Sequence, residues 1–246
     1  MSSIPVDVLR EILEHVVRIA DLAALCRVNK IFCSCSRDVL YREIRGHPRV
    51  IQTLAQSTDL ARRVRLLTTS SEHLELATAL RNMSSLRSLD FRDGGDASIL
   101  DGCNFKLDSL TCDFPHSESL QRFLNSQSSL TNITLYGDYG PSPPFDERCL
   151  PNLTRVYALP SWLRILIPGR PVREVQMISQ FDPTDLSFFT LSTTPIQNLW
   201  IGYDVLYSKP VSLLVSIFSS LVHLEMYACR MEWTVRVRLC VCLSNK

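Results

Sequence analysis

Apolar residues recur along this chain with two different periods, and the first is helical. The stretch "IPVDVLREILEHVV" (4–17) sets Val8, Leu9, Ile12, Leu13, Val16 and Val17 at steps of one, three and four. That spacing makes a wide stripe on one helix face, with Arg10, Glu11, Glu14, His15 and Arg18 on the other side. Pro5 suits the first helical position, and Asp7 falls in the first turn, where the helix dipole favours an anion. Asp21 is placed to cap a second, short helix carrying Leu22, Leu25, Cys26 and Val28. Ile31, Phe32, Cys35, Val39 and Leu40 give a third before "RGHP" (45–48) ends the run. Three helices this short bury little surface alone, yet they carry apolar residues on more than one face. Either the rest of the chain covers those residues or another protein does.

From Leu86 the pattern changes to L-x-x-L-x-apolar. It appears as Leu86/Leu89/Phe91, Leu107/Leu110/Cys112, Leu130/Ile133/Leu135, Leu153/Val156/Ala158, Val172/Val175/Met177, Ile196/Leu199/Ile201 and Leu221/Leu224/Met226, spaced by 19 to 25 residues. The last two positions of each motif are two apart, so they share one side of a short strand. Between them lie outer segments with apolar stripes of their own: Leu74/Ala77/Leu80, Leu120/Phe123/Leu124, and Leu213/Leu214/Ile217/Phe218/Leu221. One strand and one outer segment cannot bury their own face, but stacked copies can. A motif of this form with this period marks a leucine-rich repeat. The segment 47–69 opens the series, with a helix started by Pro48 and a first strand near 64–67.

The expected fold class is therefore α/β: a short N-terminal three-helix unit, then an irregular leucine-rich-repeat solenoid with a parallel concave sheet. The asparagine that tidy repeats carry just after the strand is replaced by Gly94, Pro115, Asp138, Ser161, Gln180 and Asp204, with only Cys229 matching. A regular asparagine ladder is thus not expected. "DGGD" (93–96) and "GDYGPSPPFDE" (137–147) read as protruding loops. The tail alternates Val235, Val237, Leu239, Val241 and Leu243 with Arg236, Arg238, Cys240 and Cys242, which is strand period. It is either a cap or a truncated edge. The domains expected are 1–46, 47–232 and an uncertain tail, 233–246.

Composition narrows the function classes. Of 246 residues, 46% are apolar and 21% charged, enough apolar mass for a globular core. The formal charge of +1 supplies no global field for nucleic acid or an anionic membrane, and neither is an expected partner. Basic groups such as "RVRLL" (63–67) and "RVR" (236–238) read as solvated faces. The longest strongly apolar stretch, 211–224, is too short to span a bilayer. Nine scattered cysteines, with close pairs Cys33/Cys35 and Cys240/Cys242 but no Cys-x-x-Cys, indicate reduced thiols and no metal centre. The expected location is the cytoplasm or nucleus.

No catalytic constellation is present: there is no H-E-x-x-H, G-x-S-x-G or G-x-x-x-x-G-K-[ST]. The histidines at 15, 47, 73, 116 and 223 share no ligand spacing. No enzyme activity and no cofactor are expected. A binding surface is easier to derive. Parallel strands about 4.8 Å apart align outward residues into columns, here Asp90, Thr111, Thr134, Tyr157, Gln176, Trp200 and Glu225. Arg92, Asp113, Tyr136 and Tyr227 lie two positions further along. Aromatic residues carry much of the energy at protein interfaces, so Tyr136, Tyr157, Trp200 and Tyr227 are the target-contact candidates.

The stretch 4–42 resembles an F-box. Ile4-Pro5 stands where the family has Leu-Pro. Val8-Leu9 and Ile12-Leu13 match its first helix, Asp21-Leu22, Leu25, Val28, Lys30 and Phe32 match its D-L-x-x-L-x-x-V-x-K-x-F core, and Leu40-Tyr41 closes it. Ile for Leu at position 4 and the cysteines at 26, 33 and 35 depart from the family. With the repeats, the chain resembles F-box/leucine-rich-repeat proteins of the kind abundant in fungi. The resemblance implies substrate recognition in a ubiquitin ligase, with a Skp adaptor, and through it a cullin–RING ligase, as partner. It makes Ile4, Pro5, Val8, Leu9, Ile12, Leu13, Leu22, Leu25, Val28 and Phe32 adaptor-facing or motif-core residues, without dividing them. Two alternatives stand beside it: a repeat scaffold whose helices cap the solenoid, which requires Leu9 and Ile12 inside the chain, and an adaptor-binding protein that works outside ubiquitin transfer.

Overall fold

The structure, a computed structural model, describes residues 4–69, 74–137, 146, 148–177, 186–202 and 220–227, with side chains of the last strand described through Glu225. The chain divides into two compact units, Met1–Phe91 with Ile99–Phe105, and Arg92–Ser98 with Lys106–Lys246.

The first unit begins with three helices, α1 (Val6–Glu14), α2 (Ile19–Leu25) and α3 (Lys30–Leu40). Both α1 and α2 pack on α3, around a small core of Leu9, Leu13, Leu22 and Cys35 edged by Val16, Leu25, Phe32, Val39 and Leu40. Pro5 sits just before α1. The side chain of Asn29 starts α3 by accepting hydrogen bonds from the Ile31 and Phe32 amides at 2.9 and 3.0 Å. Asp21 does not cap α2, which begins two residues earlier, and lies in its first turn. The wide stripe expected along α1 is only half covered. Leu9 and Leu13 are 5% and 1% exposed, whereas Val8, Ile12 and Val17 stand open. Successive residues differ by about 100° around a helix, so one neighbour covers one of the two adjacent rows.

After α3 comes a strand that the periodicity did not indicate, β1 (Glu43–Arg45). It is followed by α4 (Pro48–Gln56), α5 (Thr58–Ala61), β2 (Leu66–Thr69), α6 (Leu76–Asn82) and β3 (Ser88–Phe91). The helix opened by Pro48 is present, and the first expected strand sits two residues later than 64–67. α6 begins at Leu76, and Leu74 lies outside the buried stripe, fully exposed. β1 pairs parallel with β2, and β2 with β3.

The second unit continues the alternation. Its strands are β4 (Ser109–Cys112), β5 (Asn132–Leu135), β6 (Arg155–Ala158), β7 (Glu174–Met177), β8 (Asn198–Gly202) and β9 (His223–Tyr227). Each pairs parallel with the next, in sequence order. The outer segments are unequal, as expected: they include α7 (Glu118–Asn125), α8 (Pro160–Leu166) and a 3-10 stretch, Ser187–Leu191. In β4 to β7 the second and fourth residues are buried. These are the positions set by the L-x-x-L-x-apolar motif. "DGGD" lies outside any helix or strand, with Gly94 and Gly95 at φ 66 and 91, a backbone that glycine adopts without strain. The body of the 137–147 loop, the outer segment at 213–218 and the tail 233–246 lie outside the described residues.

One backbone device recurs in both units. The carbonyl just before each strand accepts from two successive amides of the next repeat: Arg42 from Arg65 and Leu66, Arg65 from Arg87 and Ser88, Asp108 from Thr131 and Asn132, Thr131 from Thr154 and Arg155. Side chains of several kinds add to these backbone bonds: the Thr131 and Thr154 hydroxyls donate to the Asp108 and Thr131 carbonyls of the preceding repeats. Gln127 accepts from the Leu107 amide at 2.9 Å, and the Trp162 indole donates to the Gly137 carbonyl at 2.8 Å. Gly137 has no room for a side chain, because a methyl there would run into the Phe114 carbonyl. Buried Arg170 donates to the carbonyls of Cys149, Ile165, Pro168 and Asp146 at 2.7–3.0 Å. Those four acceptors come from both sides of β6, so one guanidinium ties two outer segments together.

Replacing that guanidinium leaves buried carbonyls without donors. Arg170→Leu is expected to lower stability by roughly 3–5 kcal/mol, the cost of breaking a buried hydrogen-bond network and leaving its acceptors unpaired. Exposed Arg148→Leu should change it by less than about 0.5 kcal/mol. Urea denaturation of both variants checks this, and similar midpoints would show that Arg170 does not hold the outer segments.

Candidate functional site

Two surfaces gather the residues that the sequence singled out. The first is on the N-terminal helices. Val8 and Ile12, four apart on α1 and 45% and 52% exposed, share one face of the helix, and Ile4, 59% exposed, lies just ahead of its first turn. Beside that pair Leu9 and Leu13 turn inward to the small core. Val28 and Pro5 are exposed, Leu22 is buried, and Leu25 and Phe32 are half-buried against the same core. The structure thus splits the ten candidate residues into an outward set (Ile4, Pro5, Val8, Ile12, Val28) and a supporting set (Leu9, Leu13, Leu22, Leu25, Phe32). Val6, Val17, Ile19 and Ile31 are also exposed aliphatics here. Ile19 and Ile31 fall at the starts of α2 and α3, and their outward direction depends on where those helices begin, which the apolar period alone does not fix.

The second surface is the open face of the strands in the second unit. The register puts Thr111, Thr134, Tyr157, Gln176, Trp200 and Glu225 directly beside one another, strand after strand. This is the column derived from the motif. A cavity of about 340 Å³ opens on it, lined by residues that include Asn132, Thr134, Arg155, Tyr157, Gln176 and Trp200. The ring of Tyr136 meets that of Tyr157 edge-on, with centroids 5.6 Å apart, a favoured aromatic geometry. The Trp200 indole donates to Glu225 Oε2 at 3.0 Å, and His223 Nε2 lies 3.6 Å from the same oxygen. Arg155 and Glu174 face each other at 3.6 Å across β6 and β7. Asn132 Oδ1 is buried in the cavity wall with no hydrogen-bond partner among the described residues. Of the four aromatic candidates, Tyr136, Tyr157 and Trp200 are brought to this face, half-buried; the side chain of Tyr227 lies outside the described residues.

The arrangement suits binding: an aromatic patch with amides, a hydroxyl row and one surface ion pair. Among the described residues no cluster of His, Cys, Asp or Glu could hold a metal ion. The described cysteines are free thiols. Burial pushes Cys112 up to about 12 and Cys103 up to about 11, so neither supplies a thiolate nucleophile near neutral pH. No helix among the described residues is long and apolar enough to cross a membrane.

No family model matches this chain, and no curated protein matches its sequence.

The thiol environments predict a labelling order. With a pKa near 12, Cys112 holds roughly one thiolate in ten thousand at pH 8. Iodoacetamide at pH 8, read by peptide mass spectrometry, is expected to modify half-buried Cys33 within minutes and Cys112 only after denaturant is added. Rapid modification of Cys112 in the native protein would contradict the packing of β4.

Proposed function

We propose that this protein is the substrate-recognition subunit of a Skp–cullin–F-box ubiquitin ligase. In this reading the N-terminal helices dock on the Skp adaptor, and the open strand face of the second unit holds a target protein. The observation that carries the reading is the exposed aliphatic pair Val8 and Ile12 on α1, with Ile4 exposed just ahead of the helix, beside a separate core of Leu9, Leu13, Leu22 and Cys35. A helix needs no second apolar row to fold on its neighbours, so a row left in water asks for a partner. Covering the outward set, Ile4, Pro5, Val8, Ile12 and Val28, contributes on the order of 5 kcal/mol. The aromatic column at Tyr136, Tyr157 and Trp200 supports the target half of the reading.

The chain would do no chemistry itself. It would hold a target lysine near a ubiquitin-conjugating enzyme carried by the RING subunit, and its contribution would be proximity and orientation. The alternative, a scaffold whose helices cap the repeats, requires Leu9 and Ile12 both inside. Leu9 is inside the helical core, while Ile12 is half exposed, and that weighs against it.

The test uses exposed positions, because a charge at Leu9 would unfold the core and read out stability. Wild-type full chain is expected to form a one-to-one complex with purified Skp adaptor. Val8→Asp/Ile12→Asp should keep its helical circular dichroism and bind at least about 30-fold more weakly, as expected for loss of a central apolar anchor. A folded wild type that ignores the adaptor, or a double variant that binds equally well, would rule the reading out.

A further inference from the structure

The first unit holds a cavity of about 350 Å³ whose wall includes Arg10, Arg42, Arg62, Arg63 and Arg65 but only two carboxylates, Glu14 and Asp38. The carboxylates are already engaged. Glu14 pairs with Arg42, Asp38 pairs with Arg63, and Arg10 lies 3.6 Å from Asp38. Arg63 is further held by Asp59 at 3.2 Å. Arg62 and Arg65 have no carboxylate partner among the described residues, and both are exposed at the cavity. The Arg42 guanidinium, by hydrogen bond and charge, holds the Glu14 carboxyl below its usual range, and Arg65 adds to the same field.

The repeat geometry forces this convergence. Arg42 and Arg65 occupy the same position in successive repeats, just before β1 and β2, and the Arg65 amide donates to the Arg42 carbonyl at 2.9 Å. Like charges at matching places on adjacent strands repel. Here the paired acids relieve three arginines and leave two. The three that are paired are thereby fixed in place around the space that the other two face. Guanidinium groups present rigid forks of N–H donors that match phosphate oxygens two at a time. A volume of about 350 Å³ lies in the range of small-molecule clefts.

We propose that this cavity is a binding site for a compact anion carrying two or more phosphate groups, gripped by Arg62 and Arg65 and oriented by Arg10, Arg42 and Arg63. Such an anion bridges α1 and α3 to the turns that precede β2 and β3, so its binding stabilises the first unit. The site is independent of the adaptor surface and stands whether or not the adaptor binds.

The test is titration calorimetry and thermal unfolding of the full chain with inorganic pyrophosphate and tripolyphosphate, at constant ionic strength, with sulfate as the control anion. One saturable pyrophosphate site is expected, with tripolyphosphate tighter and sulfate at least tenfold weaker. At pyrophosphate about a hundredfold above its Kd the melting temperature should rise by roughly 5–10 °C. Arg62→Ser/Arg65→Ser should weaken binding at least tenfold, while Arg27→Ser/Arg49→Ser, at exposed positions outside the cavity wall, should bind like wild type. If the serine pair fails to melt cooperatively, Arg62→Lys/Arg65→Lys replaces it; it keeps charge but loses the forks, and at least threefold weakening is expected. No saturable binding, equal response to sulfate, or undiminished binding by the cavity variant would overturn the proposal. So would a singly phosphorylated serine peptide that binds more tightly than pyrophosphate, which would assign the site to protein recognition.

Discussion

Everything in this chain depends on one geometric constraint: residues two apart share a side of a strand, and parallel strands keep them in line. The strands β4 to β8 therefore send their second and fourth side chains into the core, and no repeat can cover those alone. Leu110, Ile133, Val156, Val175, Leu199 and Leu224 form one such buried row, in direct register from β4 to β9. The carbonyl before each strand, taken by two amides of the next repeat, fixes the register from the backbone side. Unequal outer segments, whether α7, α8 or a 3-10 turn, are tolerated because the buried strand row and these backbone bonds carry the alignment.

The same constraint aligns whatever points outward, regardless of its chemistry. On the second unit it stacks threonines, Tyr157, Gln176, Trp200 and Glu225 into a mixed polar and aromatic column. On the first unit it brings Arg42 beside Arg65, a juxtaposition that a freely chosen sequence would avoid. The helices α1 to α3 stand outside the repeat pattern. They fold around four buried residues and leave a second aliphatic row open.

The sequence makes some of this legible and hides the rest for identifiable reasons. The strands from β3 onward are readable because two apolar residues at a fixed separation recur with each repeat. β1 has one apolar residue, Ile44, between Glu43 and Arg45, so no period marks it; only its pairing with β2 does. Along α1, Val8 and Leu9 are equally apolar, and only the position of α3 decides which is core. The start of α2 is set by packing, and Asp21, though a good capping residue, falls inside the first turn. The connections between repeats are hidden most deeply. Arg170 reads as one basic residue among many until four carbonyls from neighbouring segments converge on it. Arg63 and Arg65 likewise read as a solvated face until the fold closes Arg10, Arg42 and Arg62 around the same space.

The claim on which the functional reading rests is that the outer row of α1 is a docking surface distinct from the core behind it. Hydrogen–deuterium exchange of the full chain, with and without the purified Skp adaptor, tests this residue by residue. The account predicts slower exchange confined to 4–40, greatest over α1, with β5 to β8 unchanged. Unaltered exchange across α1 to α3 at saturating adaptor, or protection that appears on the strands instead, would contradict it.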